Sequence, residues 1–182
     1  MWATNSLKNN LIKNSRALED LKYWTIDENG GDKWKVEDLP GGEGELFPNP
    51  SVTKYFVTSN QPCKKSQTID LLKEGFTADI LDKAQPAIIV TDWYAARKDC
   101  GCQYELLVRL LSADKKILQE FHPQPVTLPQ HSDGQWHYVT HTFLNYGPGV
   151  RYISFQHGGK DTLNWAGWYG VRVTNSSVSI DI

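Results

Sequence analysis

The sequence is short of sulfur: 182 residues hold three cysteines and one methionine. So few thiols exclude a disulfide-stapled scaffold, and a chain of this length buries a core without disulfides or metals. The cysteine count is odd, and Cys100 and Cys102 are too close to bridge within a strand, so the chemistry suits a reducing compartment. No excess of positive charge exists either. Nineteen Lys and Arg against twenty-one Asp and Glu give a net charge of −2, which leaves nothing to neutralise a run of phosphates and argues against nucleic acid as a partner. No window approaches the roughly 20 apolar residues that span a bilayer, and the start MWATNSLKNN lacks the apolar stretch of a secretory signal. The sequence is therefore expected to act in the cytoplasm without membrane insertion, or outside the cell by a leaderless route. P-loop, dinucleotide and nucleophile-elbow patterns are missing: Gly41-Gly42-Glu43-Gly44 is only a glycine-rich loop.

What the sequence does have is aromatic residues, with 7 Trp, 8 Tyr and 6 Phe. These favour strands and flat contact surfaces over helices. Period-two alternation confirms the bias. In Gln103–Leu111, Tyr104, Leu106, Val108 and Leu110 share one face and Leu107 and Leu111 lie on the other, the pattern of a central strand. Similar runs predict strands at Thr53–Ser59, Ser66–Leu71, Pro86–Tyr94, Lys116–Phe121, Gln135–Phe143, Val150–Gln156, Val171–Thr174 and Val178–Asp181, with a further one at Asp32–Glu37. Turn chemistry separates them at Gly30-Gly31, Pro40-Gly41-Gly42, Ser132-Asp133-Gly134, Tyr146-Gly147-Pro148-Gly149 and His157-Gly158-Gly159. About ten short strands predict a sandwich or barrel in one domain. Only Leu71–Leu81, with Leu72, Phe76, Ile80 and Leu81 at helical spacing, reads as a turn or two of helix.

Candidate chemistry is sparse. Paired carboxylates would suit glycoside hydrolysis, but Asp92, Asp99, Asp133 and Asp161 read as turn caps or hydrogen-bond partners of a ligand near loops. Among His122, His131, His137, His141 and His157, the pair four apart would lie about 13 Å apart on a strand, too far for one metal. Cys100-Gly101-Cys102 lacks a second cysteine pair and reads as buried thiols. No catalytic group, metal or cofactor is expected. What stands out is Asp161-Thr162-Leu163-Asn164-Trp165-Ala166-Gly167-Trp168-Tyr169-Gly170, where glycines interrupt any ladder and two Trp and a Tyr remain to be placed. A loop presenting an indole stacks well on the C–H face of a pyranose, with Asn and Asp fixing the hydroxyls. The other reading makes Trp165 and Trp168 core fillers.

At these residues the sequence closely resembles the F-box-associated domain of the sugar-recognising F-box proteins, and is similar to the fish non-specific cytotoxic cell receptor protein. The resemblance runs from Asn10 to Ile180 through Asn29-Gly30-Gly31-Asp32-Lys33-Trp34-Lys35-Val36-Glu37-Asp38, Tyr55-Phe56-Val57-Thr58-Ser59, Asp92-Trp93-Tyr94, Tyr146-Gly147-Pro148-Gly149-Val150-Arg151, Phe155-Gln156-His157-Gly158-Gly159 and Arg172-Val173-Thr174-Asn175-Ser176-Ser177. It divides the chain into an extension at 1–9 and the domain at 10–182. It implies an all-β, antiparallel jelly-roll sandwich of galactose-binding-domain type that binds the chitobiose and mannose part of N-linked glycans through loops at one end. It also implies presentation of those glycoproteins to a ubiquitin ligase, for which an F-box outside this chain is required.

By the same resemblance Trp165 is the stacking residue and Asp99 a pocket acid. Three pocket positions depart from the family's pattern: Asn60 stands in place of a Phe, Asn164 in place of a Tyr and Ala166 in place of a Lys. Two aromatic walls become amides, which shifts the expected preference among saccharides or weakens affinity. A glycan-independent protein-recognition module is the alternative reading. Asn175-Ser176-Ser177 is a glycosylation sequon only in the secretory path, and otherwise is expected to serve the last turn.

Overall fold

A computed structural model describes residues 10–182; the extension expected at 1–9 lies outside the described residues. Two antiparallel sheets face each other as a jelly-roll sandwich. The first runs β1 (Thr25–Asn29), β4 (Cys63–Asp70), β10 (Tyr152–Asp161), β6 (Cys102–Leu111) and β7 (Ile117–Phe121), with β8 (Val126–Leu128) also on β6. The second runs β2 (Lys35–Asp38), β3 (Lys54–Val57), β11 (Arg172–Asp181), β5 (Ala87–Ala95) and β9 (His137–Phe143). Among the described residues eleven strands are present where the alternation predicts about ten. No helix among the described residues is long and apolar enough to cross a membrane.

Alternation becomes burial as expected in β6, where Tyr104, Leu106, Val108 and Leu110 point into the core. The strand is central, between β10 and β7–β8. The differences have local causes. The predicted strands at Val171–Thr174 and Val178–Asp181 are one strand, β11, with a bulge between Thr174 and Ser177. Asn175 sits in that bulge at φ 55, accepts a hydrogen bond from Arg16 Nε at 3.0 Å, and donates its backbone N–H to Ser15. The sequon thus holds the N-terminal segment to β11 and does not serve the last turn. The helical stretch lies later than expected, as a π-helical turn at Ile80–Ala84 whose Asp82 clasps Arg151.

The pair Gly158-Gly159 is not a turn but the interior of β10, flanked by β4 and β6. A Cβ at Gly158 would run into the Cys63 carbonyl, and one at Gly159 into the Gln103 carbonyl. Close backbone approach, not a reversal of direction, requires these glycines. Gly158→Ala should therefore lower stability by about 2 kcal/mol, read as a lower urea midpoint; an unchanged midpoint would refute the close approach.

The core holds an ionic network. Lys65, Asp92 and His157 are fully buried. Lys65 Nζ lies 2.7 Å from His157 Nε2, and His157 Nδ1 lies 2.7 Å from Asp92 Oδ2. An ammonium has no lone pair and a carboxylate no proton, so the ring is neutral, donating from Nδ1 and accepting at Nε2. Tyr104 and Ser176 donate to the same carboxylate at 2.5 and 2.6 Å. Lys65 Nζ also sits over the rings of Trp24 and Phe56, at 3.1 and 3.7 Å from their centroids, a cation–π cage. Burial holds the Lys65 ammonium below the ordinary lysine range, opposed by Asp92. Asp92 and His157 are thus packing residues of the interior and not loop groups.

Candidate functional site

Register places five connections at the same end of the sandwich. Asp161 at the end of β10 pairs with Cys102 at the start of β6, and Gly159 with Cys63 at the start of β4. In the other sheet Arg172 at the start of β11 pairs with Ala95 and Val57 at the ends of β5 and β3. The β1–β2, β3–β4, β5–β6, β8–β9 and β10–β11 connections therefore converge. Backbone hydrogen bonds stitch them together: Asp161 N to Ser59 O at 3.0 Å, Thr162 N to Gly101 O at 3.0 Å, and Gly170 N to Thr58 O at 3.1 Å.

The β10–β11 loop is shaped by Asp161. Its carboxylate, buried at the strand end, accepts from Leu163 N at 3.0 Å and Asn164 N at 2.5 Å, and Asn164 takes a positive φ of 56. This capped turn tips the next residue outward. Trp165 is 39% exposed, so it is not a core filler. Its partner is Tyr169, which it meets edge-on at 5.3 Å and 87°. Trp168 is anchored instead, donating from Nε1 to Lys33 O at 2.9 Å, with Lys35 Nζ 4.2 Å above its ring. Gly167 N donates to Asp32 at 2.6 Å.

Asp99 lies on the β5–β6 connection, where Arg97 grips both of its oxygens at 2.9 Å. That guanidinium holds the Asp99 carboxyl below the usual carboxylate range. Arg97 also stacks on Tyr169, its Cζ 4.5 Å from the ring centroid. Asn60, on the β3–β4 connection next to Ser59, is half-buried against Gly31, and its Oδ1 has no donor. Asn164 and Ala166 flank Trp165 in the open. The loops of Asp99, Asn60 and Trp165 therefore adjoin. Arg97 is absent from the sequence-based expectations, its only signal being its place two residues before Asp99, whereas Tyr169 stands in the aromatic stretch 161–170 without a role assigned to it.

His137 stacks on Tyr94, and His141 lies between Phe121 and Phe143. These rings serve packing. Asp133 caps its own turn, accepting from Gln135 N at 3.0 Å. The three cysteines are free and buried, and burial pushes the thiol of Cys100 up to about 11.

A two-sheet jelly roll that gathers loops from both sheets around an exposed aromatic ring defines the class of the molecule, a β-sandwich with a loop-built rim at one end. Solved structures share this architecture. TmCBM61 in complex with β-1,4-galactotriose superposes with a TM-score of 0.55 at 14% identity, over 94% of this chain and 99% of that one. The Stig cyclase Fisc from Fischerella sp. TAU gives 0.58 at 13% identity, over 94% and 96%. At such identities the likeness shows the fold alone, which serves binding and catalysis alike. Sequence is more specific: residues 2–180 match the model of the F-box associated region, and the chain belongs to that family. F-box only protein 6 of Bos taurus is 59% identical over 96% of this chain and 66% of its own length. F-box only protein 44 of Homo sapiens is 55% identical over 96% and 69%, and F-box only protein 2 of Bos taurus 51% over 96% and 59%. The chain thus spans 59 to 69% of the length of these relatives.

Proposed function

We propose that the loop end is a non-enzymatic lectin site for glycans of the N-linked core or high-mannose type, and that the domain recognises glycoproteins for an F-box ubiquitin ligase. The observation that carries the reading is the 39% exposed indole of Trp165, which stands at the loop end with Tyr169 as its ring partner at 87°. A saccharide ring gains dispersion and water release on an indole face, with Asn164, Asn60 and Asp99 beside it for hydroxyls. Charge plays little part, which suits a neutral ligand.

The carboxylates support binding over hydrolysis. A glycosidase needs one acid with a raised pKa beside a second carboxylate, whereas Arg97 draws Asp99 the other way and Asp161 is sealed under backbone amides. Membership of the family and the names of its F-box relatives support the ligase context, with an F-box supplied outside this chain. Free buried thiols suit the cytoplasm.

Single-site affinity should be on the order of micromolar or weaker, because polar saccharides gain little over water. Trp165→Ala should weaken glycan affinity by roughly ten- to a hundredfold and leave the unfolding temperature within about 2 °C, since the indole is 39% exposed on a loop and lies outside the core. A glycan array probed with both proteins reads the first and calorimetry the second; full binding by the variant would displace the site. Asn60 and Asn164, where stacking walls are expected, favour a second reading as a protein-recognition module. A blank array together with a deglycosylation-insensitive partner would support that reading.

A further inference from the structure

Four side chains connect the β5–β6 connection to the exposed indole without a gap. Asp99 accepts from Arg97 Nε and Nη2, each at 2.9 Å. The guanidinium so fixed lies over Tyr169, its Cζ 4.5 Å from the ring centroid. Tyr169 in turn meets Trp165 at 87°, with the centroids 5.3 Å apart. On its other side Arg97 is backed by the β2–β3 connection, where a Cβ on Gly42 would come within 2.9 Å of Nη1. The guanidinium is therefore tied to a carboxylate through Nε and Nη2, lies over a ring, and has Gly42 close to Nη1. Trp165 has no comparable hold of its own: it follows Asn164 at positive φ and sits between Asn164 and Ala166, both exposed.

We propose that Arg97 is a positioning residue that sets the orientation of the Trp165 indole through Tyr169, with Asp99 fixing the guanidinium. The proposal rests on the saccharide reading above. A carboxylate that meets both Nε and Nη2 holds the planar fork in one place. A planar guanidinium stacks where an ammonium does not, so lysine cannot replace it. Orienting the indole before the ligand arrives lowers the ordering entropy lost on binding, and affinity rises without any new contact to sugar.

The test compares Arg97→Lys, Asp99→Asn, Tyr169→Leu and Tyr169→Phe with the wild-type chain by two readouts. One is affinity for a chitobiose-containing high-mannose oligosaccharide by titration. The other needs no ligand: the indole N–H resonance of Trp165, assigned by its loss in Trp165→Phe, whose width and amide-type relaxation report ring order. Arg97→Lys, Asp99→Asn and Tyr169→Leu should each reduce affinity about tenfold and mobilise the indole, and Tyr169→Phe, which keeps the ring, should recover both relative to Tyr169→Leu. An indole as rigid in Arg97→Lys as in the wild type overturns the proposal, whatever the affinity does; if affinity alone falls, Arg97 or Asp99 touches sugar directly. If the wild type binds no oligosaccharide while the indole still loosens in Arg97→Lys, the lectin reading fails and the positioning of Trp165 by Arg97 stands.

Discussion

Asp92→Asn should destabilise the domain by about 3–5 kcal/mol, seen as a large drop in the urea midpoint. The carboxylate is fully buried and takes hydrogen bonds from Tyr104, His157 and Ser176. Replacing one oxygen by an amide places a donor against donors. It also removes the negative charge that faces the Lys65 ammonium through the imidazole. Lys65→Met should be costly for the mirror reason, since it leaves the Asp92 carboxylate without the ammonium that faces it, although the thioether fits between the rings of Trp24 and Phe56. The double variant should then cost at least about 1 kcal/mol less than the sum of the singles, because it removes both charges at once. Strict additivity in the cycle would show that the two charges do not sense each other across His157.

Acid should unfold the domain through the same network, with stability falling as pH drops from about 6.5 to about 4. Burial is the main cause of the low proton affinity of His157, with Lys65 adding to it and Asp92 opposing, and together they hold its pKa down to about 4. An unfolded histidine takes its proton near 6.5. Between these values the unfolded chain binds the proton and the folded one does not. The stabilisation is therefore complete above about pH 6.5, declines through that window and is spent below about pH 4, a loss of about 3 kcal/mol. His141, also lowered by burial, contributes in the same direction. The Asp82–Arg151 pair acts in a separate range, because Asp82 is held down to about 2 and loses its contribution only below the ordinary carboxylate pKa. Urea midpoints measured at several pH values on the wild type and on His157→Gln read this directly. A profile as steep in the variant as in the wild type would remove His157 as the cause.

Legibility in the sequence followed how local each cause is. The alternation in Gln103–Leu111 announces β6, because each side chain faces the core or the outer face by its own position. Thr25–Asn29 is nearly all polar and forms an exposed edge strand, so β1 offered no apolar signal. Val126–Leu128 has only three residues and follows two prolines. Gly158-Gly159 was misleading for a physical reason: two glycines are the ordinary mark of a turn, and the neighbouring carbonyls that demand them come from Cys63 and Gln103, far away in sequence. Lys65 beside Lys64 resembles a solvated pair, and only the pairing of β4 with β10 brings it to His157.

At the loop end the aromatic stretch 161–170 was visible, but composition left Trp165 and Trp168 equivalent. The structure separates them through contacts with residues more than a hundred positions away, Lys33 among them. Family resemblance supplied Asp99 and Trp165; the stacking of Arg97 on Tyr169 that joins their loops lies outside any motif.

The backbone stitching between the loops has an evolutionary consequence. Ser59, Gly101 and Thr58 accept from Asp161, Thr162 and Gly170 through main-chain atoms, so the rim keeps its shape whatever side chains it carries. A position such as Ala166, exposed beside Trp165, can then change its side chain without disturbing the hydrogen bonds that shape the rim.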